Sequence, residues 1–188
     1  KRPYGYSPAT YDITPYLHAG ENEITVDVDN SAQKNSRWYS GSGIYRHVWL
    51  LNTGDVAVKP ESVFVTTPQV SEDASTVNLE LAVANGSPHA GDIMVRATIL
   101  DDEGRKIDAA SATVAVPADS EASAQLRFAP KRLALWSPGS PALYEMQVEL
   151  LEGNKVVDTF TQTFGVRSIA YSAEDGFLLN GKPLLLTG

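Results

Sequence analysis

The sequence predicts an all-β chain with an immunoglobulin-like β-sandwich at its centre. Three observations predict it. Apolar residues alternate with polar ones at the strand period in Val77, Leu79, Leu81 and Val83, and again in Val95, Ala97 and Ile99. Turn signals cut the chain at short intervals: Asn85-Gly86, Asp101-Asp102-Glu103-Gly104, Pro117-Ala118-Asp119 and Glu152-Gly153-Asn154. No stretch of useful length carries helical spacing. About seven short strands in roughly 110 residues, with a turn every 8–12 residues or so, is the arithmetic of such a sandwich. The cysteine pair of antibody domains is missing, since the chain has no cysteine.

The elements are expected in this order. Residues 12–17 and the Gly20-Glu21-Asn22 turn lead into a first strand, where Ile24, Val26 and Val28 alternate with Thr25, Asp27 and Asp29. Residues 45–51 read as a second, with Tyr45, His47, Trp49 and Leu51 on one side and Arg46, Val48 and Leu50 on the other. Lys59-Pro60 reads as a boundary, beyond which aromatics thin out and Val, Thr, Ala and Leu dominate. Strand-like runs follow at 62–67, 75–84, 93–101, 106–116, 123–128, 144–151 and 156–167. Residues 176–186 read as a hairpin with Asn180-Gly181 at its tight turn. The continuous apolar run Leu184-Leu185-Leu186 reads as a strand buried on both faces.

Composition narrows the function classes. A chain of 188 residues allows one or two domains, and 43% hydrophobic residues can form a core. A net charge of −8 with a pI near 4.8 argues against nucleic acid, whose phosphates need clustered Lys and Arg. A neutral glycan suits that balance better. No run approaches the roughly 18–20 apolar residues that span a bilayer, so no membrane partner is expected. Without cysteine there is no thiolate chemistry. Asp101, Asp102 and Glu103 superficially form a cation site, but a hairpin turn explains them and no later bidentate Glu follows. Asn85-Gly86-Ser87 is formally a glycosylation sequon that an Asn-Gly turn accounts for. His18 and His89 lie in polar turn contexts and are expected in solvent.

The run Asn35-Ser36-Arg37-Trp38-Tyr39-Ser40-Gly41-Ser42-Gly43-Ile44-Tyr45-Arg46-His47-Val48-Trp49-Leu50 does not alternate simply. It reads as a loop feeding a strand. It resembles the end of the sugar-binding domain of glycoside hydrolase family 2, which contains β-galactosidases, β-glucuronidases and β-mannosidases. Two further stretches resemble the same family in the right order. Leu135-Trp136-Ser137-Pro138 through Pro141-Ala142-Leu143-Tyr144 is similar to a loop of its sandwich domain. Phe164-Gly165-Val166-Arg167 with 176–188 is similar to the entry into its catalytic (β/α)8 barrel. The resemblance spans essentially the whole chain.

It implies three parts: 1–58, the C-terminal part of a jelly-roll sugar-binding domain; 59–167, the immunoglobulin-like sandwich; and 168–188, the truncated start of the catalytic barrel. It also implies a retaining β-glycosidase, β-galactosidase-like by the wording of 37–46. The two catalytic glutamates would stand on barrel strands beyond Gly188, so no catalytic residue is expected here and the chain alone should be inert. Substrate contact falls to His47, Arg46, Trp38, Tyr39 and Arg37. In some β-galactosidases the position matching His47 is an aspartate that helps hold a monovalent cation. Imidazole is a poor ligand for a hard alkali cation, so no metal or cofactor is expected in this fragment, and a monovalent or divalent cation stays open for the parent enzyme.

The same residues also suit structural roles. Trp38 and Tyr39 can stack on a pyranose or pack a domain interface. Arg37 and Arg46 can bind a sugar carboxylate or pair with a carboxylate of a neighbouring domain. His47 can contact sugar or serve as a hydrogen-bonded structural residue. Gly41 and Gly43 supply turn geometry. Trp49 is expected in a core or interface, and Trp136 is expected to plug the sandwich end.

The competing class is a stand-alone carbohydrate-binding or adhesion module; against it, the chain reads as beginning inside one domain and stopping inside another. Half a jelly roll leaves sheet edges open, so the first 55 or so residues are expected to be mobile or covered by a second copy, with self-association of the fragment and a homo-oligomeric parent. The family's many periplasmic and secreted members favour those compartments over the cytoplasm.

Overall fold

The computed structural model describes residues 7–31, 41–71 and 73–186. The chain divides into two units, Lys1–Leu50 and Leu51–Gly188. Among the described residues no helix is long and apolar enough to cross a membrane.

The first unit departs from the expected pattern. Its described residues form one 3₁₀ turn, Thr14–Tyr16, and no strand. Ile24, Val26 and Val28 alternate as anticipated yet all stand exposed, as do Tyr45, Val48, Trp49 and Leu50. Trp49 is therefore outside any core here. The physical reason is that an extended segment keeps its backbone N–H and C=O groups satisfied in a sheet only with a paired neighbour. None lies beside 24–28 or 45–51 among the described residues. Short-range polar contacts set the local shape instead. Pro15 pre-sets the 3₁₀ turn, whose Thr14 N–H donates to Asp12 Oδ1 (2.9 Å). Asn22 brackets the Gly20 turn: its Oδ1 accepts the His18 N–H (3.0 Å) and its Nδ2 donates to the His18 carbonyl (2.9 Å).

The second unit contains the sandwich. Its strands are β1 (Val56–Val58), β2 (Phe64–Gln69), β3 (Thr76–Asn85), β4 (Gly91–Leu100), β5 (Lys106–Val116), β6 (Ser120–Phe128), β7 (Tyr144–Glu152) and β8 (Lys155–Phe164). One sheet is centred on β3. β6 lies along one edge of β3, while β2 and β1 follow one another along the other edge. The second sheet runs β5-β4-β7-β8, and every pairing in both sheets is antiparallel. β1 pairs β3 (Val56↔Asn85, Val58↔Val83), so the sandwich begins on the near side of the Lys59-Pro60 punctuation.

Period-two patterning forms the core. Val77, Leu79, Leu81 and Val83 of β3 face inward with Ile93, Val95, Ala97 and Ile99 of β4 and Met146, Val148 and Leu150 of β7, all essentially without solvent contact. Register matches large to small across strands: Ala124 opposes Leu81, and Ala97 opposes Val148. Full burial of one such Leu, Ile or Val contributes about 1.5–3 kcal/mol, so this face dominates the stability of the unit.

Long-range polar contacts close the sandwich. Asp158 Oδ2 of β8 accepts the Val58 N–H (2.8 Å), tying the first strand across to the second sheet. Tyr144 opens β7, and its hydroxyl accepts the Ala134 N–H (2.8 Å), the tyrosine-corner contact of such sandwiches. Asn85 is buried: its Nδ2 donates to the carbonyls of His89 (2.8 Å) and Pro117 (3.1 Å), while its Oδ1 accepts the Ser87 N–H (2.9 Å). That one side chain fastens the β3–β4 and β5–β6 turns together.

A separate three-stranded meander follows: β9 (Ile169–Ser172), β10 (Gly176–Leu179) and β11 (Lys182–Pro183), in the order β11-β10-β9. Its tight turn is the expected Asn180-Gly181, with φ of 52° and 73°. Both are left-handed, as a type I′ hairpin requires. Strand β9 has no counterpart in the sequence expectations. The expected buried strand at Leu184–Leu186 does not form: Leu185 and Leu186 are exposed and outside any strand. An apolar run is buried only where a layer covers each face, and among the described residues none covers Leu185 and Leu186 in that way.

Candidate functional site

The aromatic loop is the first candidate. Arg37, Trp38 and Tyr39 fall outside the described residues. Arg46 and His47 are described, and both are exposed. Gly43 has φ 115°, a value L side chains rarely adopt, and so supplies the bend before the segment extends. The alternation then sets neighbours two apart on one side. The rings of His47 and Trp49 lie 5.3 Å apart at 45°. The Arg46 guanidinium sits 5.5 Å from the Tyr45 ring centre. Ile44, Tyr45, Arg46 and His47 line an open depression of about 570 Å³. Such a surface offers aromatic faces to C–H groups and several N–H donors to hydroxyls or a carboxylate.

Acid–base hydrolysis needs a different arrangement. A retaining glycosidase places two carboxyls roughly 5–5.5 Å apart and raises the pKa of the acid. Every carboxylate with a resolved shift is instead held below its ordinary range. Hydrogen bonds from the hydroxyl and amide of Thr14 lower Asp12, and those of Ser31 lower Asp29. Arg105 lowers Asp101 through a contact of 2.7 Å; the acidic turn is the expected hairpin, and its ion pairing to Arg105 adds to that reading. Arg96 lowers Glu149 through one of 2.8 Å. These groups stay ionised and cannot hold a proton for a leaving group at neutral pH. Among the described residues no group of three His, Asp or Glu side chains could hold a metal ion.

The second candidate is the end of the sandwich where the meander attaches. Trp136 is half-buried, and its backbone N–H donates to the Val166 carbonyl (2.8 Å). Its ring covers Gly165, where a Cβ would come within 3.0 Å of Trp136 Cβ. The Arg167 guanidinium lies 4.7 Å from the ring centre. Asn180 Nδ2 donates to the Trp136 carbonyl (3.0 Å). Trp136 thus packs on the linker after β8 and does not join the sandwich core. The part played by Asn180 was missed, because a turn residue announces its backbone and not the partners of its side chain.

The fold defines a class: a two-sheet β-sandwich carrying an exposed aromatic segment on one flank of its sequence and a fastened meander on the other. The family model of Glycosyl hydrolases family 2 matches residues 58–167, and the chain belongs to that family. It is 36% identical over its whole length to β-galactosidase BoGH2A of Bacteroides ovatus, of which it covers 22%. It is also 36% identical over its whole length to a putative β-glucuronidase of Formosa agariphila, of which it covers 17%. Among solved structures, a glycosyl hydrolase family 2 member from Bacteroides cellulosilyticus matches with a TM-score of 0.78 at 34% identity. That match covers 82% of this chain and 21% of the other. A β-glycosidase from Bacteroides vulgatus matches at 27% identity with a TM-score of 0.73, covering 93% of this chain and 21% of its own. The chain therefore spans about a fifth of the length of these relatives.

Proposed function

We propose that this chain is a non-catalytic part of a retaining β-glycosidase that hydrolyses β-galactosides. The observation that carries the reading is the alignment of the entire chain with a β-galactosidase at 36% identity. In this reading the residues ahead of β1 are the C-terminal part of a jelly-roll sugar-binding domain. β1 through Arg167 form a spacer sandwich, and 168–188 open the catalytic barrel. His47 and Arg46, with Arg37, Trp38 and Tyr39, reach the substrate and complete a pocket whose two glutamates lie elsewhere in the parent.

The test is a hydrolysis panel of aryl β-galactoside, β-glucuronide and β-mannoside on the full-length parent and on this chain alone. The parent should cleave the galactoside and the isolated chain none of the three. His47→Ala in the parent should lower kcat/KM by about tenfold or more while leaving thermal stability nearly unchanged. Preferred cleavage of the glucuronide would overturn the sugar assignment, which the equal identity to a putative β-glucuronidase makes the necessary control. Hydrolysis by the isolated chain would overturn the non-catalytic reading.

A further inference from the structure

We infer that Asn180 is the lock of a rigid joint through which the sandwich fixes the direction of the C-terminal meander. The hairpin turn alone does not require asparagine. With φ at 52°, glycine or aspartate would serve there equally. The side chain, however, uses both of its ends. Its Oδ1 accepts the Ser168 N–H (3.0 Å), its Nδ2 donates to the Trp136 carbonyl (3.0 Å), and its backbone N–H donates to the Ser168 carbonyl (2.9 Å). The amide supplies a donor and an acceptor on separate atoms, whereas ionised aspartate lacks the donor and glycine lacks both.

The other contacts converge on the same short linker. Trp136 N–H holds the Val166 carbonyl, its ring lies against Gly165 and it carries the Arg167 guanidinium. From the first sheet, Thr67 Oγ1 donates to the Arg167 carbonyl (2.8 Å). The linker 165–168 is therefore fastened from β2, from the β6–β7 crossing and from the hairpin. Val166 and Leu179 are buried in the same stretch, and the two Asn180 side-chain bonds are part-buried, which strengthens them relative to bonds in open water. Within the meander itself the Leu184 N–H donates to the Phe177 carbonyl (3.0 Å), so the chain leaves along the line of the hairpin.

Residual dipolar couplings on the isotope-labelled chain test the joint. In the wild type one alignment tensor should fit the sandwich amides and those of 169–183 together. Asn180→Gly keeps the turn and removes the lock. It should require a second tensor for 169–183, leave the sandwich couplings unchanged and speed amide exchange at Ser168 at least about tenfold. Asn180→Asp, which keeps the acceptor for Ser168, should fall between the two. Gly165→Ala displaces Trp136 without touching the hairpin and should decouple the meander in the same way; it decides the matter if Asn180→Gly melts the hairpin. A single tensor fitting Asn180→Gly or Gly165→Ala with the hairpin intact would overturn the joint. The readout is orientation, so the result is independent of whether the parent cleaves galactosides.

Discussion

Residues 24–28 and 77–83 carry the same pattern and meet different fates. Ile24, Val26 and Val28 alternate as cleanly as Val77, Leu79, Leu81 and Val83, yet the first set is exposed outside any strand and the second is among the driest parts of the molecule. Local propensity is nearly equal, so the difference is tertiary. β3 has β6 on one edge and β2 and β1 on the other, with a second sheet covering its inner face. The earlier segment has no such neighbour among the described residues. Alternation nominates a strand, and a partner makes one.

Hydrogen exchange tests this contrast most directly. Amides of β3, β4 and β7 should be protected by several orders of magnitude, approaching global stability, while those of 22–31 and 41–51 should exchange nearly as in a free peptide. Full protection of the latter in a monomer would break the comparison. Protection that appears only with rising concentration would sharpen it, by identifying a second copy as the missing neighbour.

Mutational cost follows the same division. Leu81→Ala should destabilise the sandwich by about 2–5 kcal/mol through lost burial and a cavity, read from the urea midpoint. Ile24→Ala should stay within about 0.5 kcal/mol. Tyr144→Phe keeps the ring and removes the acceptor for the N–H of exposed Ala134, which should cost about 0.5–1.5 kcal/mol.

The smallest effect is electrostatic. Asp101 and Glu149 have folded pKa values below their unfolded ones, so their contribution is fully present above the ordinary carboxylate range near about 4 and is lost as pH falls through the lowered folded values. Tm should decline modestly on acidification below about pH 4. The decline should be shallower in Asp101→Asn and in Glu149→Gln, and shallower again in high salt, since these pairs lie at the surface.

Much of the sandwich was legible because its strands bury one face and so advertise period two. The expected run 106–116 coincides with β5, and the other six overlap strands whose ends lie a few residues away. β1 escaped because all of Val56–Val58 is buried, which leaves no alternation to read. β9 escaped because Ile169, Ala170 and Tyr171 are exposed, with no buried face to mark a period. The contacts that close the fold were invisible for a different reason. Asp158 meets Val58, and Asn180 meets Trp136, across separations that no local pattern encodes. Of the candidate site, Arg46 and His47 could be placed on an exposed aromatic surface, whereas Arg37, Trp38 and Tyr39 lie outside the described residues.

The internal fastening of Asn85 also bears on how this protein ages. Asn-Gly is the dipeptide most prone to deamidation, which proceeds when the following backbone nitrogen attacks the side-chain carbonyl carbon. Here that nitrogen, Gly86 N, donates to the Asp55 carbonyl at 2.8 Å, and the Asn85 amide is held by carbonyls of two turns. Neither partner is free to reach the succinimide geometry. The same burial withholds the Asn85 nitrogen from an oligosaccharide donor once the sandwich has closed. The folded state therefore shields its own sequence from two covalent modifications that the letters Asn-Gly-Ser invite.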